Sequence, residues 1–170
     1  MRNLKFIIIL LISIQFTSCS KDSEQTENNE TTNIIKFNNE EYEANLLYKI
    51  PYTNYFELIL SDTTIPYTNY TGQMNFTGIL FQGNTINEGT FTFRLDTDPT
   101  FDPNINFFDG EAGIEMNITN GTADTSSNYY ENINSGTITI SKNGDIYDIS
   151  FNIDFGQGRI VEGNYSGIIN

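Results

Sequence analysis

Beyond Ile34 the apolar residues of this chain recur at every second position, and no window of about eleven residues carries a helical stripe. The clearest run is Tyr147, Ile149, Phe151, Ile153 and Phe155, alternating with Asp148, Ser150, Asn152 and Asp154. A period of two sends one set of side chains to a core and the other to water, which only an extended strand can do. Abundant Asn, Thr, Ile, Phe and Tyr favour strands and turns over helices. These patterns predict an all-β fold.

The predicted strands follow in order. Ile34–Phe37 and Tyr42–Tyr48 flank Asn38-Asn39, a hairpin turn because Asn tolerates positive φ. Tyr55–Leu60, Gln73–Phe81, Thr90–Leu95 and Ala112–Thr119 come next, the last bounded by a polar loop from Asn120 to Asn128. Ile133–Ser141, Ile146–Phe155 and Ile160–Ile169 close the chain. Short strands with regular turn signals predict a single antiparallel β-sandwich or barrel-like meander of about 8–10 strands. Two echoes accompany them. Gly89-Thr-Phe-Thr-Phe93 and Gly136-Thr-Ile-Thr-Ile140 share one pattern, with Thr outward and the apolar residues inward. Ile50-Pro-Tyr-Thr-Asn-Tyr55 recurs as Ile65-Pro-Tyr-Thr-Asn-Tyr70, a spacing too short for a solenoid repeat and read as a duplicated lead-in from loop to strand.

The start of the chain has a different character. Arg2 and Lys5 precede an apolar run from Phe6 to Ile14, and the small residues Thr17 and Ser18 precede Cys19, the only cysteine. The run is shorter than the roughly 20 residues that span a bilayer, so it reads as an export signal over 1–18. Residues 20–32 contain no apolar side chain and cannot offset the entropy of ordering, so 19–32 is expected to be a disordered acidic tether. The folded domain is expected over 33–170.

Phe16-Thr-Ser-Cys19 resembles the lipobox of bacterial lipoproteins, with Phe16 where Leu is usual. The resemblance implies that Cys19 is the lipid attachment site and the acylated N-terminus of the mature chain. One acyl chain holds only marginally, and two or three make release negligible. The Lys21-Asp-Ser-Glu24 start of the tether resembles the acidic export signal of surface lipoproteins in Bacteroidota-type bacteria, and a plain solvated spacer is the other reading. Gly136-Thr-Ile-Thr-Ile140, the Tyr147–Phe155 strand and Gly163-Asn-Tyr-Ser-Gly167 resemble the C-terminal strands of small all-β lipoproteins of those bacteria. Those motifs are strand patterns and bring no catalytic residue with them.

Composition narrows the chemistry. Histidine and tryptophan are absent and Cys19 is assigned to the lipid, which excludes His-based triads, His or Cys zinc sites, c-type haem and thiol catalysis. The net charge of −14 becomes two units more negative once Arg2 and Lys5 leave with the signal, which opposes nucleic-acid partners and anionic membrane surfaces.

What remains is carboxylate, tyrosine and amide chemistry. Asp96, Asp98 and Asp102, with Asp109 and Glu111 nearby, offer oxygens to a calcium ion. The EF-hand pattern fails there, with Phe101 in place of its Gly and Phe107 in place of its Glu; the alternative is a solvated loop stiffened by Pro99 and Pro103. Tyr52, Tyr55, Tyr67, Tyr70, Tyr129 and Tyr130 could form a stacking surface for sugars, or serve only as strand residues with a wet edge. No feature selects the carboxylate pair that glycoside hydrolysis needs. Asp62-Thr63-Thr64 resembles an O-glycan acceptor of the same bacteria.

The expectation is therefore a lipid-anchored lipoprotein of the cell envelope, at the outer membrane and facing either the periplasm or the cell surface. It acts as a non-enzymatic binding or structural module. It has no cofactor unless calcium binds, and it meets the membrane through its lipid and a glycan or protein as ligand. The alternatives are a carboxylate-dependent glycan hydrolase and a lipocalin-like carrier of a small apolar ligand.

Overall fold

The alternating run forms a strand in which Ile149, Phe151 and Ile153 are buried and Asp148, Ser150 and Asn152 are exposed. In the computed structural model, which describes residues 33–126 and 128–170, this strand is one of thirteen among the described residues. The expected signal, Cys19 and tether lie outside them. Strands β1 (Ile34–Phe37), β2 (Glu40–Glu43), β3 (Leu46–Pro51), β4 (Tyr55–Ser61) and β5 (Gly72–Gln82) come first. β6 (Gly89–Phe93), β7 (Asn106–Phe107), β8 (Asp109–Thr119), β9 (Thr122–Ala123) and β10 (Tyr129–Tyr130) follow. β11 (Ser135–Asn143), β12 (Ile146–Asp154) and β13 (Ile160–Gly167) end the chain.

One sheet runs β2-β1-β13-β12-β11-β6-β7; the other runs β10-β8-β5-β4-β3, with β9 on β8. The two pack face to face as a sandwich and do not close into a barrel. Among the described residues the strands pair antiparallel except for the two-residue β6–β7 pair, which is parallel, and an isolated parallel bridge joins Leu47 to Ile169. The expected Asn38-Asn39 hairpin is present, with both residues at positive φ between β1 and β2. The run Tyr42–Tyr48, expected as one strand, is two. It breaks at buried Ala44 because β2 belongs to the first sheet and β3 to the second. β2, with Glu40, Glu41 and Glu43, forms an edge of the first sheet.

The core between the sheets is aromatic. Phe56 stacks on Phe81 at 5.3 Å, and Phe81 meets Phe91 edge-on at 5.2 Å, joining β4 and β5 to β6 across the sandwich. Ile138, Ile149, Phe151, Ile153 and Val161 complete the layer. A space of only about 10 Å3 lies beside Phe56, Phe81 and Phe91, so aromatic rings fill this end of the interior. The two Gly-Thr-apolar echoes are neighbours: β6 pairs with β11, Phe91 lies opposite Ile138, and the hydroxyls of Thr90 and Thr139 are 3.0 Å apart. Gly163 is required by packing, because a Cβ there would sit 2.3 Å from the Phe151 ring.

A second, smaller apolar cluster covers the outer face of the second sheet. Ile59, Met74, Phe76, Met116 and Ile118 lie there beneath Ile65, Tyr67 and Tyr70 of the β4–β5 loop. The period-two spacing of Ala112, Ile114, Met116 and Ile118 suggests one face, yet the first two point inward and the last two outward. The cause is a bulge. Phe76 pairs with Gly113 but Met74 with Met116, so β8 carries one residue more than β5, and Glu115 takes positive φ. Asn75 secures the bulge by accepting the Glu115 N–H at 2.7 Å. Asp62 in turn accepts both the backbone and side-chain N–H groups of Asn75.

The copies of Ile-Pro-Tyr-Thr-Asn-Tyr differ. The first forms the β3–β4 hairpin turn. The second lies in the covering loop, with a cis Ile65-Pro66 bond and Asn69 at positive φ.

Phe151 and Asn152 test the register directly. Phe151→Ala should cost about 3–5 kcal/mol. Asn152→Ala, which loses only an exposed bond to Glu162, should stay within about 0.5 kcal/mol. Urea unfolding midpoints decide it, since a one-residue slip would exchange the two results.

Candidate functional site

Beside the covered cluster, the outer face of the second sheet turns acidic. Within the apolar run Phe56-Glu57-Leu58-Ile59-Leu60, period two sends Phe56, Leu58 and Leu60 inward and Glu57 outward next to Ile59. Glu57 is nevertheless only 7 % exposed. It lies flat over β5, where Gly78 leaves the space: a Cβ at that position would meet Glu57 Oε1 at 2.2 Å and Glu111 Cγ at 3.3 Å. Glu111, paired with Gly78 in register, approaches from β8. Three adjacent strands thus place two carboxylate side chains either side of one glycine.

An open cleft of about 330 Å3 lies above them, with Asp109, Glu131, Tyr52 and Tyr129 on its walls. Tyr52 donates its hydroxyl to Glu57 Oε2 at 3.3 Å, and Tyr129 donates to Glu111 Oε2. Burial pushes the Glu57 carboxyl up to about 7, the neighbouring Glu111 charge adds to this, and the Tyr52 bond opposes it. Burial and the bond to Glu111 raise the Tyr129 phenol, and burial followed by the Glu57 charge raises Tyr52. Glu57 is buried and Glu111 half-buried, an unequal pair of carboxyl groups that suits either proton transfer or recognition of a hydrogen-bond donor.

The residues singled out in sequence fall in several places. Tyr52 and Tyr129 meet at the cleft, and Tyr55 stacks on Tyr52 at its rim with 4.5 Å between ring centroids. Tyr67 and Tyr70 pack into the covered outer cluster, and Tyr130 stacks on Phe37 at the main core. The six tyrosines are not one surface.

The acidic loop braces itself. Asp98 accepts the backbone N–H and hydroxyl of Thr100, bonds that, with the Arg94 charge, hold its carboxyl below the usual range. Asp102 accepts two bonds from Asn104, and Asp96 is exposed. Buried Asn106 ties the loop's end to Thr92. Among the described residues no group of three or more acidic side chains is placed to hold a metal ion. Asp62 of the Asp-Thr-Thr motif serves the β8 bulge. Glu57 was not selected from the sequence, although a lone acid inside an apolar strand is the signal that marks it.

Comparison with protein-family models, with curated proteins and with solved structures finds no match for this chain.

Glu57 makes stability depend on pH. Its folded carboxyl holds a proton more tightly than the unfolded one, so its ionisation opposes folding. That penalty is absent below about pH 4.5, grows as pH rises, and is complete above about pH 7. Glu57→Gln should therefore raise stability at pH 8 by on the order of 2 kcal/mol, allowing for partial solvent screening, and change little at pH 4.5. Urea midpoints of both proteins at the two pH values measure this; equal effects at both would refute the buried, ionising Glu57.

Proposed function

We propose that this protein is a lipid-anchored lipoprotein of the cell envelope whose β domain is a non-enzymatic binding module, with its ligand taken in the Glu57–Glu111 cleft. One observation carries the reading. Aromatic and aliphatic side chains pack between the sheets, while the outer face holds a concave site with a buried carboxylate aimed into it. That arrangement supports recognition at the surface over carriage of an apolar molecule within. The anchor rests on the leader: a basic start, a short apolar run, and small residues before a lone cysteine. Cys19→Ser should leave an unprocessed precursor that takes up no radiolabelled palmitate, and labelling of that variant would overturn the anchor.

A second reading is favoured by the cleft itself. A carboxyl pushed up to about 7 beside a second carboxyl is a pairing of the kind that glycoside hydrolases use, with Glu57 as acid and Glu111 as its partner. Incubating the purified protein with a panel of polysaccharides separates the two. The binding module should release no reducing ends. Release that Glu57→Gln and Glu111→Gln both abolish would replace the module with the hydrolase.

A further inference from the structure

The loop after β5 reads Gln82-Gly-Asn-Thr-Ile-Asn87, a stretch without a charge in a chain of net charge −14. It stands opposite the turn at Pro103-Asn104, and an open cleft of about 410 Å3 lies between them. Gln82, Asn84, Thr85, Asn87, Pro103 and Asn104 line it, and among the described residues no charged side chain does. The cleft shares no residue with the one over Glu57 and Glu111.

Both walls are held in place. The Gly83 N–H donates to the Asn54 carbonyl at 2.8 Å, the Lys49 ammonium donates to the Asn84 carbonyl, and Glu88 accepts the Lys142 N–H at 3.0 Å. Across the cleft, Asp102 accepts the backbone and side-chain N–H groups of Asn104, both at 2.9 Å, and Asn106 accepts the Asp102 N–H. These bonds leave the loop's amides unspent. Among the described residues the side chains of Gln82, Asn84, Thr85 and Asn87 have no hydrogen-bond partner. Fixed walls with free donors and acceptors are preorganised for a ligand.

The floor adds an apolar feature. Gln82, Thr85, Asn87 and Pro103 also border the space of about 10 Å3 whose deeper walls are Phe56, Phe81, Ile86, Phe91 and Ile140. That volume is about one water-sized sphere, and the deeper walls offer a water no polar partner. It admits the tip of one methyl group.

We propose that this cleft binds a neutral sugar carrying an acetamido group. The acetyl methyl enters the floor. The acetamido group then meets the side-chain amides of Gln82 and Asn87, because each amide presents a donor beside an acceptor and two of them pair at both. Asn84, Thr85 and Asn104 are left for the ring hydroxyls, which also donate and accept. Charge fits the same ligand: no lysine or arginine on the walls attracts an acid, and no carboxylate there attracts a cation. The volume lies within the roughly 300–1,000 Å3 of small-molecule clefts.

The probe is N-acetylglucosamine, added to the full-length protein in a sugar-free detergent and followed by saturation-transfer NMR. Its acetyl methyl protons should receive the largest saturation in the ligand. Glucose, which lacks the acetamido group, should bind about tenfold more weakly. N-propanoylglucosamine, one methylene longer, should also lose about tenfold, because the floor has no room for it. Gln82→Ala and Asn87→Ala should each weaken N-acetylglucosamine about tenfold. Asn152→Ala, exposed on the other sheet, should bind as the wild type does. Circular dichroism melts check that each variant folds, and either cleft variant decides the matter if the other does not fold.

Absence of N-acetylglucosamine binding would overturn the proposal. So would glucose or N-propanoylglucosamine binding as tightly, or equal losses in Asn152→Ala and the cleft variants. These outcomes leave the Glu57–Glu111 reading standing, since that site is built from other residues.

Discussion

One extra residue in β8 governs the second sheet. With no bulge at Glu115, Met116 and Ile118 would follow Ala112 and Ile114 into the main core, and the buried outer cluster would lose two of its five members. The bulge turns the far half of the strand over, and that face becomes apolar enough to require a cover. The β4–β5 loop supplies it, with Ile65, Tyr67 and Tyr70 laid across. Asp62 and Asn75 tie the start of the loop to the bulge, so the feature that creates the need for a cover also fixes the cover in place.

The acidic cleft exists because that cover ends. The same outer face continues past Ile59 to Glu57 and past Phe76 to Gly78. There the side chains shrink to glycine, and two glutamates lean into the space instead of apolar groups. Phe76 over Gly113 and Glu57 over Gly78 use one device, a large side chain resting on a neighbouring strand where a Cβ is missing. In the first case the result is packing. In the second it is a carboxylate removed from water and crowded by another.

Much of the fold was legible in the sequence, because alternation in strands such as Tyr147–Phe155 needs no knowledge of partners. The turn at Asn38-Asn39 was legible for the same local reason. The face switch in β8 was not, since a bulge changes direction without changing the spacing of Ala112, Ile114, Met116 and Ile118. β7, β9 and β10 have two residues each, too short to carry a period. The tyrosines failed as a set because their type marks a half-buried position and says nothing about which cluster receives it. Glu57 and Glu111 lie far apart in sequence, and only the order β4-β5-β8 brings them together. The acidic loop drew attention by density, yet Asp98 and Asp102 serve its own turns.

The edge strand β2 has a consequence for how copies of this protein meet. Among the described residues its outer side pairs with no other strand, and an open edge is a template on which a second chain can add. Edge-to-edge addition of an identical β2 would bring Glu40, Glu41 and Glu43 of both copies to strands about 5 Å apart. Like charges at that spacing repel, and every further copy would repeat the penalty. Crowded molecules are thereby held as separate particles at this edge and not recruited into a growing ribbon.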